Sequence, residues 1–274
     1  MTALTLIRRS IVYHRRTHLG VLLGTALSTA IIVGALTVGD SVRYSLRRMA
    51  LLRLGNIDCA AAAGDRVFDA QLAARLGARL DAIVAPVLQV AGVAIARGGA
   101  VRVNEVQVLG VDDRFWALSP AHTPPGEELR ADEAFINEPL ARRLGVSAGE
   151  AITLRADRLE ALPRDMAFAA GGAAEASFHL TVRAVLPDAL FGRFSLRANQ
   201  VAPCSVFVPR EWLASRLGAA GRANLLVAAA GDGHTLDPAQ ADAAVRDAWQ
   251  LGDVGVTLAV ASNANCIELR SARI

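Results

Sequence analysis

The chain has 274 residues, 53% of them hydrophobic, 20% charged and 5% aromatic, which is enough apolar material for one large or two small domains and too much for wholesale disorder. All 29 basic residues are arginine, for a formal net charge of +3, so a P-loop lysine, a Schiff-base lysine and a lysine general base are excluded within this chain. Residues 1–54 hold eight Arg and one acid, Asp40, whereas the remainder holds 21 Arg and 25 acids, a balance that disfavours a nucleic-acid-binding domain because the larger part repels phosphate.

Residues 1–16 read as a short amphipathic segment, with Leu4, Ile7 and Ile11 on one face and Arg8 and Arg15 on another, suited to the headgroup plane of a membrane. Thr17 to Gly39 follows with no acid, no Arg and one histidine, His18. As a helix these residues reach roughly 34 Å, against a hydrocarbon core of about 30 Å, so 17–39 is expected to span a bilayer. Tyr13 and Tyr44 bracket the run at roughly the thickness of a bilayer with its headgroups. A cleaved signal peptide is the alternative, but the apolar stretch is too long for one and no cleavage box precedes a polar start. Gly20, Gly24 and Ser28, and likewise Ala26, Ala30 and Gly34, recur every four residues. Such stripes admit a second helix in lipid; general Gly/Ala richness accounts for them equally well. Four arginines precede the span and four follow it, so charge does not orient it. Residues 40–54 continue the helical pattern as a stalk.

Residues 55–274 read as a mixed α and β domain. A four-residue rhythm at Phe68, Leu72, Leu76 and Leu80 predicts a helix over 67–80. Ile83–Ala96 and Val101–Val111, joined at Gly98-Gly99, predict a hairpin. A helix is expected over Phe135–Leu144, with Pro139 in its first turn and Gly145 ending it. Strands follow at Ala151–Arg155, Phe178–Leu186 and Cys204–Val208, a helix at Glu211–Leu217 and a strand at Asn224–Ala229. Asp237 and Pro238 open a helix running to about Leu251 and burying Val245 and Trp249. Val254–Val260 and Ile267–Leu269 are expected as closing strands. Ser119–Glu128 and Pro163–Ala176 read as loops, and the second suggests subdomains of about 55–160 and 177–274.

No catalytic, cofactor or metal site emerges. Gly145-Val146-Ser147-Ala148-Gly149 matches the G-x-S-x-G string, but its predicted order, helix then strand, is the reverse of a nucleophile elbow. The histidines (14, 18, 122, 179, 234) and cysteines (59, 204, 266) have no metal-ligand spacing. Asp112-Asp113 and Glu127-Glu128 lie at predicted turns, where solvated charge is the better reading. The expectation is therefore a protein that is not an enzyme and binds no cofactor.

Several segments carry a family resemblance. Val38-Gly39-Asp40-Ser41-Val42-Arg43-Tyr44-Ser45-Leu46-Arg47, Val108 to Trp116, Phe135 to Gly145 with Gly149-Glu150, Gly192-Arg193-Phe194-Ser195-Leu196 and Phe207-Val208-Pro209 together resemble bacterial FtsX-like permeases, the transmembrane subunits of MacB- and LolCE-type ABC systems. The order of these loose motifs makes the match. The resemblance implies an α+β architecture: one N-terminal transmembrane helix entered from the cytoplasm, then an extracytoplasmic domain of the MacB periplasmic-core type over 55–274. It also implies a permease homo- or heterodimer in the inner membrane, a separate cytoplasmic ABC ATPase as partner, contact with membrane lipid and none with nucleic acid. Such systems export peptides or antibiotics, extract lipoproteins or activate cell-wall hydrolases. The family has three further spans, and no later apolar run of that length occurs here, so the sequence is expected to be the N-terminal part of a permease. The alternative is a stand-alone, single-pass anchored binding domain.

Overall fold

In the computed structural model of the chain, the described residues are 3–122, 125–126, 129–157, 175–197, 201–231, 234–261 and 266–271. They form two units, one up to Ala50 and one from Leu51 onward. The first contains α1 (Ala3–Tyr13) and most of α2 (Arg15–Leu54). None of the residues of α2 is buried, and its apolar side chains, such as Leu27 and Ile31, are each 64% exposed.

The second unit runs β1 (Cys59–Ala62), β2 (Phe68–Asp69), α3 (Leu72–Leu80), β3 (Ala82–Ala96), β4 (Val101–Val111), α4 (Asp113–Ala117), β5 (Glu133–Asn137), α5 (Glu138–Leu144), β6 (Ala151–Asp157) and β7 (Glu175–Leu186). It continues with β8 (Ser205–Pro209), α6 (Arg210–Arg216), β9 (Arg222–Ala223), β10 (Leu225–Ala230), α7 (Pro238–Ala248), β11 (Val256–Ala261) and β12 (Cys266–Ser271). Eight strands join in the order β1-β10-β3-β4-β8-β5-β7-β6, and β6 pairs back onto β3. Six of them, β3-β4-β8-β5-β7-β6, therefore close into a small barrel, which removes its exposed edges. β3 makes the closure possible by changing partners along its length. Residues 82–87 pair with β10, 88–96 with β4, and 92–96 also with β6. The register shifts between Gly92 and Ala94. A Cβ on Gly92 would lie 2.7 Å from the Arg155 carbonyl oxygen and 2.9 Å from Val108, so only glycine admits both neighbouring strands at this bulge.

Side chains alternate between two cores because both faces of the central strands are covered. Leu88, Val108, Ile136, Val206 and Val208 point into one cluster, while Val87, Leu109, Phe135 and Phe207 point into the other. A third cluster lies under α3 and α7, around Phe68, Leu72, Leu76, Leu226 and Leu236.

Four expectations from sequence are corrected. Phe135–Asn137 is strand, not helix: Phe135 pairs with Phe207 and Ile136 with Val206. The helix starts at Glu138, where the Asn137 side chain accepts from Leu140 N–H. Phe68 belongs to β2, paired with Ala223. Asp69 then accepts the Gln71 N–H at 2.8 Å, and this turn delays the helix to Leu72. α7 stops at Ala248, with Ala244 as its buried residue, Val245 half-buried and Trp249 41% exposed. Finally, strands from 59–157 and 175–230 interleave in one sheet, so 55–160 and 177–274 are not separate sheets. Residues 158–174, most of the loop between them, lie outside the described residues. The other expected strands and helices are present to within a few residues, including the β3–β4 hairpin and the β11–β12 pair.

Candidate functional site

The residues that sequence reading weighed for chemistry are kept apart by the fold. Gly145 is the left-handed C-cap of α5, its N–H bonded to the Ala141 carbonyl. Ser147 is exposed, and its backbone N–H donates to Glu150 Oε2 at 2.6 Å. The following strand is β6, so helix precedes and strand follows this serine, as the sequence predicts. Asp112 caps α4 by accepting from Phe115 N–H and pairs with Arg114 at 2.8 Å. Glu127 and Glu128 lie outside the described residues.

His122 meets the Asn56 amide, and His179 meets the Thr153 hydroxyl at 3.1 Å. His14 lies at the turn between α1 and α2, His18 sits on α2, and His234 is exposed. Among the described residues no group of three His, Cys, Asp or Glu side chains is placed to hold a metal. Burial, with the Asp58 and Asp237 charges adding to it, raises the Cys59 thiol above its ordinary pKa. Burial likewise raises that of Cys204, against an opposing pull from Arg143. Neither is an activated thiolate.

What the fold does bring together is four of the five scattered motif segments, all but Val38–Arg47. Val108–Trp116 supplies Leu109, Val111, Phe115 and Trp116; Phe135, Phe194 and Phe207 come from the other three. Their rings pack edge to face or tilted: Phe115–Phe194 at 5.2 Å, Phe115–Phe191 at 4.6 Å, Trp116–Phe207 at 5.4 Å and Trp116–Phe135 at 6.0 Å between centroids. Asn137 bolts the same segments by hydrogen bonds. Its Oδ1 accepts from Leu140 N–H and Ser205 N–H, and its Nδ2 donates to the Gly192 and Pro203 carbonyls at 2.8 and 2.7 Å. A buried amide with all four bonds made is a rigid joint. The motif order was visible in sequence, but its purpose as one aromatic joint was not.

The chain leaving α2 is fastened to this joint. Gly55, at φ +59°, ends the helix with its N–H on the Leu51 carbonyl at 2.9 Å. A Cβ there would lie 2.7 Å from the Phe191 ring, 2.8 Å from the Leu118 carbonyl oxygen and 3.0 Å from Pro120. Asn56 donates its backbone N–H to Leu118 O at 3.0 Å and its Nδ2 to Ser119 O at 2.7 Å, and Ile57 packs against the aromatic cluster. Nothing in the composition around Gly55 announced this anchorage, because its partners lie more than 60 residues away.

Within the first unit, α2 is long and apolar enough to cross a membrane, with a mean hydropathy of 2.1 over its best stretch. Three of its hydroxyls are satisfied internally: Thr25 donates to Val21 O at 3.0 Å, Thr29 to Thr25 O and Thr37 to Val33 O at 2.8 Å each. That is what a span in a medium without hydrogen-bonding solvent requires. Gly20, Gly24 and Gly34 have nothing within 4 Å of an added Cβ, so their side of the helix is open.

Comparison with known proteins returns one family model, the MacB-like periplasmic core domain, matched over residues 19–246. Similar solved structures include the following two. The periplasmic region of MacB from Actinobacillus actinomycetemcomitans is 9% identical, with 74% of this chain and 78% of that one covered and a TM-score of 0.41. The extracellular domain of the noncanonic ABC-type transporter YknZ from Gram-positive bacteria is 12% identical, with 69% and 81% covered and a TM-score of 0.38. No curated protein sequence matches.

Proposed function

The chain belongs to the MacB-like periplasmic core domain family, and from that premise we propose that it is the N-terminal part of an ABC transporter permease subunit. Residues 1–16 lie at the cytoplasmic face, 17–39 cross the inner membrane, 40–54 form a stalk and 55–274 stand outside as the core domain. The permease dimerises, homo- or heterotypically, through contacts that include the open small-residue side of α2. A separate cytoplasmic ATPase drives it. The chain itself performs no chemistry; it passes on movement for export, lipoprotein extraction or envelope signalling.

The observation that carries this reading is the fastening at Gly55–Ile57. A helix that merely tethers a domain needs a slack linker. Here the end of α2 is bonded within three residues to the carbonyls of Leu118 and Ser119 and wedged on Phe191. A displacement of the helix end therefore reaches the aromatic joint without being absorbed by a loop.

The test is limited proteolysis of native membranes containing the assembled transporter, with and without a non-hydrolysable ATP analogue. Altered cleavage around Gly55–Ile57 and the 119–122 segment on nucleotide binding is the expected result. Identical cleavage patterns in both conditions would overturn the transmission reading.

A further inference from the structure

A cleft of about 380 Å³ opens between the start of α3, the α4 corner and the β8–α6 junction. Its charged lining is Asp69, Arg114, Arg210, Glu211 and Arg222. Arg210 is the first residue after β8, and its side chain is only 10% exposed. Its Nε and Nη1 are buried without a hydrogen-bond partner, while Nη2 pairs with Glu211 Oε1 at 2.5 Å. Native folds keep few such unmet donors, and each calls for an account. Gly110 is what lets Arg210 settle there, since a Cβ at position 110 would lie 3.1 Å from the Arg210 Cα.

Three further features point to the same place. Arg114 is held from one side by Asp112, and Arg222 Nη1 donates to the Asp253 carbonyl at 2.8 Å; neither tie uses all five donors of its guanidinium. α3 begins at the cleft, with Ala70, Gln71 and Ala74 in its wall. Gln71 provides no side-chain cap; the Ala73 and Ala74 N–H groups turn back onto the Ala70 and Gln71 carbonyls, so what α3 offers an anion is the positive end of its dipole. Of the two acids, Asp69 is occupied by the Gln71 N–H. Glu211 is 66% exposed and can swing into water at small cost.

We propose that this cleft binds a phosphate group, with Arg210 as its buried anchor, Arg114 and Arg222 at its rim, and Glu211 as an internal stand-in that leaves when the anion arrives. One guanidinium fork saturates a planar carboxylate, whereas a tetrahedral phosphate presents oxygens to several donors at once.

The full chain in maltoside detergent is titrated calorimetrically with inorganic phosphate and, separately, with glycerophosphoglycerol, the deacylated head group of an anionic phospholipid. Saturable binding at millimolar concentrations is expected. Glu211→Gln tightens it by about threefold, and Arg210→Met weakens it by at least about tenfold. Arg114→Gln weakens it severalfold and keeps the test open should the Arg210 variant not fold. Arg246→Gln, on α7 and 77% exposed, leaves it unchanged. Binding of the head group as tight as that of inorganic phosphate assigns the site to lipid, and binding of inorganic phosphate alone assigns it to the free ion. Absence of saturable heat from both probes, or equal losses in the Arg246 and Arg114 variants, overturns the proposal.

Discussion

Up to Ala50 the described residues are helix but for the turn at His14, and none whose burial is described is buried; beyond it the same kinds of side chain collect into three buried clusters. Leu27 and Ile31 are as apolar as Leu88 and Ile136, yet the first pair is 64% exposed and the second fully buried. On the function proposed above, the difference lies in the solvent each region is built for. In water an exposed apolar stripe along a whole helix is an unmet cost, and in lipid it is the favourable surface. The Thr25, Thr29 and Thr37 hydroxyls fit the second case, since each donates to its own helix.

The largest expected effect breaks the comparison on the buried side. Phe115 is fully buried at the centre of the aromatic joint, within 6.3 Å of four other rings. Phe115→Ala is expected to destabilise the domain by about 3–5 kcal/mol, read as a shifted denaturation midpoint of the full chain in detergent. Leu27→Ala, made in the exposed helix, leaves that midpoint in place. Equal shifts for the two would erase the distinction between the regions.

Next in size is a charge placed on the other side. Ile31→Asp sits near the middle of the expected span and costs about 2.5–3.5 kcal/mol of insertion free energy. Carbonate washing of membranes is expected to release a larger fraction of this variant than of the wild type. Retention equal to wild type would mean that the helix does not lie in hydrocarbon.

Sequence reading recovered what local chemistry dictates. The apolar run of α2, the β3–β4 hairpin at Gly98-Gly99, the Gly145 cap and the Asp237-Pro238 helix start are all written within a few residues of where they act. It misassigned Phe135–Asn137 because that strand exists only through pairing with β7, some 50 positions later, and with β8, some 70 positions later. The closure of the barrel by β3 and β6 was hidden for the same reason, although Gly92 marks where it happens. Arg210 carried no signal in the sequence reading. Its backbone packs closely on Gly110, a hundred positions away, and no pattern around residue 210 records that.

Gly55→Ala sharpens the comparison at the boundary itself. The left-handed backbone and the close approaches of Phe191 and the Leu118 carbonyl oxygen predict a cost of about 1–3 kcal/mol. The strain falls on the joint, so faster proteolysis near Leu118 and Pro120 is expected, while membrane retention stays at the wild-type level because α2 is untouched. Loss of membrane retention instead would place Gly55 in the span.

The smallest expected effect is at Ser147, and it bears on what kind of protein this is. A nucleophile elbow strains its serine between a strand and a helix and surrounds it with backbone donors. Ser147 has α5 before it and β6 after it, its own N–H is taken by Glu150 Oε2, and the described histidines make their contacts elsewhere. Ser147→Ala is therefore expected to change stability by less than about 0.5 kcal/mol and to leave transport by the assembled permease unaltered. A fluorophosphonate probe that labelled the wild-type chain at Ser147, and not the alanine variant, would make the domain a hydrolase and overturn the proposed contrast between a membrane helix and a domain that only passes on movement.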